Sequence, residues 1–175
     1  NPSQFSSNMK LPMRATVHKD EEIPKADHPA IRLWRINKTA AAQPQTQGGS
    51  DWIACSPETV QGFSGVAYHF GQALHRELKV PIGLIQCAVD GVDIEPWTPL
   101  VGFEKLDSLK KYQDRVRTLT ADSKVTAGTP SALYNGMIHP LVPFTLRGIL
   151  WYQGEWNCFK GDTTIYTDKS DALIS

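Results

Sequence analysis

The chain has 175 residues, 41% of them hydrophobic and 21% charged, a length and composition that allow one domain with a real core and exclude a disordered or fibrous protein. Lysine plus arginine (18) equals aspartate plus glutamate (18), so no net positive field draws in a nucleic-acid backbone or an anionic membrane surface. No run approaches the roughly 20 apolar residues that span a bilayer, and Cys55, Cys87 and Cys158, an odd number without CxxC spacing, support neither a zinc site nor a disulfide framework.

Residues 1–30 are rich in Pro, Ser, Lys, Asp and Glu and read as an irregular arm with turns at Pro12, Pro24 and Pro29. Ile31 to Ile36 alternates apolar with basic residues and predicts a strand with one wet face. Lys38 to Ser50, ending in Gly48-Gly49, predicts a loop, and Trp52 to Cys55 a short strand. Ser56-Pro57-Glu58 then supplies a helix start: a capping hydroxyl, a proline at the first position and an acid in the first turn.

Val66, Phe70, Ala73, Leu74 and Leu78 recur at helical spacing and predict a helix with that face on a sheet. Val80 to Val89 is almost continuously apolar, as in a central parallel strand buried on both faces. Phe103, Leu106, Leu109, Tyr112, Val116 and Leu119 mark a second amphipathic helix, followed by a loop over Lys124 to Pro130. A last strand is expected to carry Leu146, Ile149, Leu150, Trp151 and Tyr152, and a final helix to start at Tyr166 and run to Ile174. Helices alternating with apolar strands imply a three-layer α/β/α flavodoxin-like domain whose active edge lies at the carboxyl ends of the strands. Asp90-Gly91-Val92-Asp93 and Gly154-Glu155-Trp156-Asn157 are the two candidate strand ends.

Asn157 at such an end has two readings. Its NH2 can aim at a developing negative oxygen, or its side chain can satisfy local backbone groups in a polar turn. Gln153 and Glu155 beside it either bind sugar hydroxyls or buttress the loop that holds Asn157. Trp151, within an apolar run, reads as core, whereas Trp97 suits either core or sugar stacking. His139, before a proline in an apolar segment, reads as a hydrogen-bonded structural histidine, and His69 and His75 as solvated.

Four segments, taken together, resemble the sialate O-acetylesterase family of the SGNH hydrolase superfamily: Ser7-Asn8-Met9; Cys55 to Val60 with Gly62-Phe63-Ser64; Gly91 with Ile94-Glu95-Pro96-Trp97-Thr98-Pro99; and Leu133 to Leu141 through Trp151-Tyr152-Gln153-Gly154-Glu155-Trp156-Asn157. The resemblance implies an SGNH-hydrolase domain over residues 1–175 with a parallel sheet, incomplete at both ends and truncated before the family's DxxH block. It implies a serine esterase that removes acetyl groups from O-acetylated carbohydrates, without metal or cofactor and without a nucleic-acid or membrane partner, in a secreted, periplasmic or lysosomal setting. Ser7 matches the nucleophile, and the oxyanion is expected to be held by the Ser7 and Gly91 backbone N–H groups and the Asn157 side chain. The chain departs from the family pattern at Phe5 and Ser6 before the serine, at Asp90 beside Gly91 and at Trp156 beside Asn157, and no Asp or Glu is followed three residues later by His. These departures favour the alternative, a non-catalytic carbohydrate-binding relative.

Overall fold

The computed structural model describes residues 12–142, 144–162 and 164–174. Residues Asn1–Asn37 with Gly49–Asp90 cluster as one compact unit, and Lys38–Gly48 with Gly91–Ser175 as a second.

The first unit is a three-stranded mixed sheet with helices, in the α/β class. Strands β1 (His28–Arg35), β2 (Ile53–Cys55) and β3 (Ile82–Gln86) lie in the order β2-β1-β3. β1 runs parallel to β3, from Ile31 opposite Ile82 to Arg35 opposite Gln86, and antiparallel to β2. The alternation read in Ile31 to Ile36 is the burial pattern found, with Ile31 and Leu33 buried while Arg32 and Arg35 are exposed. The strand starts earlier than expected, at His28. Pro29 is tolerated there because the pairing with β2 shifts register between His28 and Arg32, so the missing N–H breaks no regular ladder. β3 is the outer strand of the described sheet, not a central one, and it is buried through Leu84 and Gln86 on the face that Leu84 turns to Gly71 of α3, with Gly83 on the other face exposed.

A short helix α1 (Lys19–Glu22) precedes β1. Ser56 caps α2 (Pro57–Val60) as its sequence demands: its Oγ accepts from the Thr59 N–H while the Thr59 hydroxyl accepts from the Ser56 N–H, with proline at the first position. Ser64 caps α3 (Gly65–Leu78) singly, its Oγ accepting from the Ala67 N–H. The buried face of α3 differs from the expected one. Ala67, Tyr68 and Gly71 are buried, and Val66, Phe70 and Leu78 are exposed. Gly71 decides the rotation, since a Cβ there would meet the Leu84 methyls at 2.6 Å, so only a small residue lets the helix lie that close to β3. Met13, Ile31, Leu33, Cys55, Phe63, Tyr68 and Leu84 form the core of this unit.

In the second unit the expected 103–119 helix is interrupted. α4 (Leu100–Phe103) and α5 (Lys110–Arg117) are separated by a turn over Asp107–Leu109, yet Phe103, Leu109, Val116 and Leu119 are buried as the periodicity required. Tyr134–Ile138 is a π-helical turn, and α6 (Glu155–Phe159) and α7 (Tyr166–Ile174) follow. α7 has the bounds read from the sequence. The strand expected over Leu146 to Tyr152 is not formed: residues 148–154 take no regular structure, and Ile149 is 78% exposed. An apolar run becomes a strand only where a partner completes its ladder, and no described strand pairs with it.

α4 meets α7 at Gly102, where a Cβ would lie 2.0 Å from the Ala172 carbonyl oxygen. That contact is backbone and cannot yield. Gly102→Ala is therefore expected to cost about 1–3 kcal/mol, while Gly71→Ala, whose Cβ displaces only Leu84 side-chain atoms and which gains helix propensity, is expected to cost clearly less. Urea midpoints of the two variants check this contrast; equal losses would refute it.

Candidate functional site

Past β3 the chain reaches Gly91, whose φ of +65° belongs to the left-handed region that favours glycine. A Cβ there would meet nothing within 4 Å, so backbone conformation and not crowding calls for glycine. Three residues on, Ile94–Thr98 is buried as a block. Ser131 ties it to the helical segment that follows: its N–H donates to the Glu95 carbonyl and its Oγ to the Thr98 carbonyl. Ser7 lies outside the described residues.

Gly154 starts α6 with φ +148°, and Asn157 sits inside that short helix instead of at a strand end. The side chain is buried, 1% exposed. Its Oδ1 accepts from the Ile94 N–H (3.1 Å) and from Gln153 Nε2 (2.7 Å), and its Nδ2 donates to Asp162 Oδ2 (3.3 Å) and Glu95 Oε2 (3.5 Å). Gln153 also donates to the Val92 carbonyl (3.2 Å), and its Oε1 accepts from the Tyr166 hydroxyl (2.8 Å). The structure thus brings Gln153 and Asn157 together with the segment that follows Gly91. Glu155, in the first turn of α6, is exposed and outside these contacts.

Sequence reasoning missed the charged groups beneath Asn157. Lys169 of α7 is fully buried and its Nζ donates to Glu95 Oε1 (2.5 Å) and to Asp162 Oδ2, with the Tyr112 ring 5.1 Å away. Burial pushes the Glu95 carboxyl up, but hydrogen bonds from Lys169, the backbone and Tyr112, with the charge of Lys169, together outweigh it and leave the group below its ordinary value. For Asp162, burial is likewise outweighed by hydrogen bonds from Lys169 and Asn157 with the nearby lysine charge. For Lys169, burial lowers the ammonium pKa and the bonds to Asp162 and Glu95 more than reverse it. A signal existed: Ile165, Lys169 and Ala172 fall at i, i+4 and i+7, placing a lysine on the stripe that α7 buries.

Trp97 is buried, edge-on to Trp151 at 6.2 Å, which resolves it as core. Trp151 is 43% exposed, against the expectation of core, because its segment joins no strand. His139 Nδ1 pairs with the Gln45 carbonyl at 2.8 Å, the structural role its sequence suggested. His75 is bound as well, its Nδ1 2.7 Å from the Val80 carbonyl just past α3.

The thiols divide by burial. Burial lifts Cys55 to about 11, with Asp27 adding to it, and Cys87 to about 12, whereas Cys158 is exposed. At neutral pH a thiol reagent is expected to modify Cys158 first in the folded protein, and Cys55 only on unfolding; peptide mapping of the labelled sites would expose the reverse order.

A family model described as carbohydrate esterase, sialic acid-specific acetylesterase, matches residues 6–175. The sialate O-acetylesterase of Pongo abelii is 29% identical over 96% of this chain and 33% of its own length, and that of Homo sapiens 37% identical over 63% of this chain and 20% of its own. Among solved structures, a carbohydrate acetylesterase from Xanthomonas citri is similar with a TM-score of 0.79 at 30% identity, over 95% of this chain and 35% of that one. The chain thus spans a third or less of the curated Pongo and human relatives.

Proposed function

Because this chain belongs to the sialic acid-specific acetylesterase family of carbohydrate esterases, we propose that it serves hydrolysis of acetyl esters on sugars through a serine acetyl-enzyme, acting as a single SGNH-hydrolase domain over residues 1–175. The family match, which runs through all four motif blocks, carries the proposal. Ser7 Oγ attacks the acetyl carbonyl carbon and passes its proton to a histidine base. The carbonyl electrons move onto oxygen, and that oxyanion is held by the Ser7 and Gly91 N–H groups and the Asn157 amide. The bond to the sugar oxygen breaks as that oxygen takes the proton, leaving acetyl on Ser7; water then releases acetate. The family's base lies in a DxxH segment that these 175 residues do not contain. Gln153 supports the site by holding Asn157 Oδ1, and Glu155, exposed at the start of α6, is assigned to sugar hydroxyls. The proposed setting is secreted, periplasmic or lysosomal.

One observation favours the second reading, a cleft that binds carbohydrate without catalysis: both directions of the Asn157 NH2 are taken by carboxylates. The test is acetate release from O-acetylated sialic acid and from acetylated xylan by the protein expressed from its complete reading frame. Release from either substrate supports the esterase; glycan binding without release would replace it with the second reading.

A further inference from the structure

We infer that Glu95 is a positioning residue that sets the direction of the Asn157 amide, an assignment that rests on the oxyanion role proposed for Asn157. The terminal torsion of an asparagine is soft and roughly two-fold, so its neighbours decide where the NH2 points. Here two donors, the Ile94 N–H and Gln153 Nε2, converge on Oδ1, and two carboxylates face Nδ2. Turning the amide by 180° would set oxygen against carboxylate and N–H against N–H at all four contacts. One orientation survives, disfavoured in its flipped form by the two donors on Oδ1 and the two acceptors on Nδ2 together.

Lys169 Nζ holds both acceptors, and Glu95 is the more deeply buried of the two. Its side chain is 8% exposed, and its other oxygen is held at 2.5 Å by Lys169 Nζ, itself fully buried, so the carboxylate cannot swing away. Asp162 is 29% exposed on the turn after α6. Both contacts to Nδ2, at 3.3 and 3.5 Å, are longer than an ordinary charge-assisted bond. An arriving oxygen reaches Nδ2 more readily on the side of Asp162, the more exposed acceptor, than on the side of the buried Glu95. Lys169 neutralises a carboxylate that would otherwise oppose the negative charge forming nearby.

The experiment is a cycle of Glu95→Gln, Asn157→Ala and the double variant in the protein expressed from its complete reading frame, reading kcat, KM and Tm. Loss of an oxyanion donor is worth about 10²–10³ in kcat, and misdirecting it up to about 10². Asn157→Ala is expected to lose the former, and Glu95→Gln about 10- to 100-fold in kcat with KM within about twofold. In the Asn157→Ala background Glu95→Gln should lower kcat by less than about twofold, while its effect on Tm is the same in both backgrounds. A merely structural Glu95 would lower kcat equally in both, and that result overturns the inference. Should Glu95→Gln not fold, Glu95→Asp keeps the charge beside Lys169 but withdraws it from Nδ2 by one methylene; unchanged kcat there also overturns the inference. If Asn157→Ala leaves kcat intact, the oxyanion reading fails and the positioning role falls with it. A drop in Asn157→Ala without one in Glu95→Gln refutes the positioning role alone.

Discussion

Ser7→Ala, made in the protein expressed from its complete reading frame, is expected to lower acetyl-ester hydrolysis by about 10⁴- to 10⁶-fold while leaving the fold intact. The size follows from chemistry. Without the hydroxyl no acetyl-enzyme forms, and what remains is the stabilisation that the oxyanion donors give to direct attack by water. p-Nitrophenyl acetate suits a first assay, because its good leaving group makes the chemical step depend on the nucleophile more than on sugar contacts. The same variant should trap no acetyl group: mass spectrometry of the quenched wild type should show one acetyl on Ser7, and the alanine variant none. An active Ser7→Ala protein would remove Ser7 from the mechanism and turn attention to Phe5 and Ser6, which stand where the resembling family has Gly and Gln.

Lys169→Met is expected to cost about 3–5 kcal/mol of stability, the loss typical when one partner of a buried ion pair is removed and the other is left uncompensated. Glu95 cannot rehydrate, being 6% exposed within the Ile94–Thr98 block. A urea midpoint measured by far-ultraviolet circular dichroism reads the effect, and a loss below about 1 kcal/mol, the value of an exposed pair, would show that the carboxylates find water or another cation. The pH dependence has a definite sign. Glu95 titrates below its ordinary 4.5 in the folded chain, so its contribution is present above about pH 4.5 and is lost as pH falls through the lower folded value. Lys169 titrates above its ordinary 10.5, so its contribution is complete below that and is lost only as pH rises through the higher folded value. The network should hold the stability of this unit level across neutral pH, and Lys169→Met should abolish the acid limb that Glu95 contributes.

How much of this was legible beforehand divides along a physical line. Ser56 and Thr59 cap α2 with groups three residues apart, a bond that needs no other part of the molecule, and it formed as read. α7 runs from Tyr166 to Ile174 as read, and β1 alternates as read, because helical and strand periodicity are properties of neighbouring residues. The motif blocks, each a local run, were enough to name the family that the comparisons then matched.

What local pattern left undecided is whatever requires a partner distant in sequence. Val66, Phe70 and Leu78 have the right spacing for a buried face, yet Gly71 lets α3 approach Leu84 more closely on another side, so contact geometry overrode hydrophobicity. Leu146 to Tyr152 has the composition of a strand, but a strand is completed by another strand's hydrogen bonds, and composition cannot supply one. Lys169 and Glu95 are 74 residues apart. Each alone is a charge that belongs in water; together, with Asp162, they repay desolvation that neither can bear singly and settle beneath Asn157. Local pattern was enough for α7, the Ser56 cap of α2, the alternation of β1, the family and the residues to suspect. Which faces are buried and what the Asn157 amide touches were settled on folding, because burial and ion pairing are energies of groups that the chain keeps far apart until then.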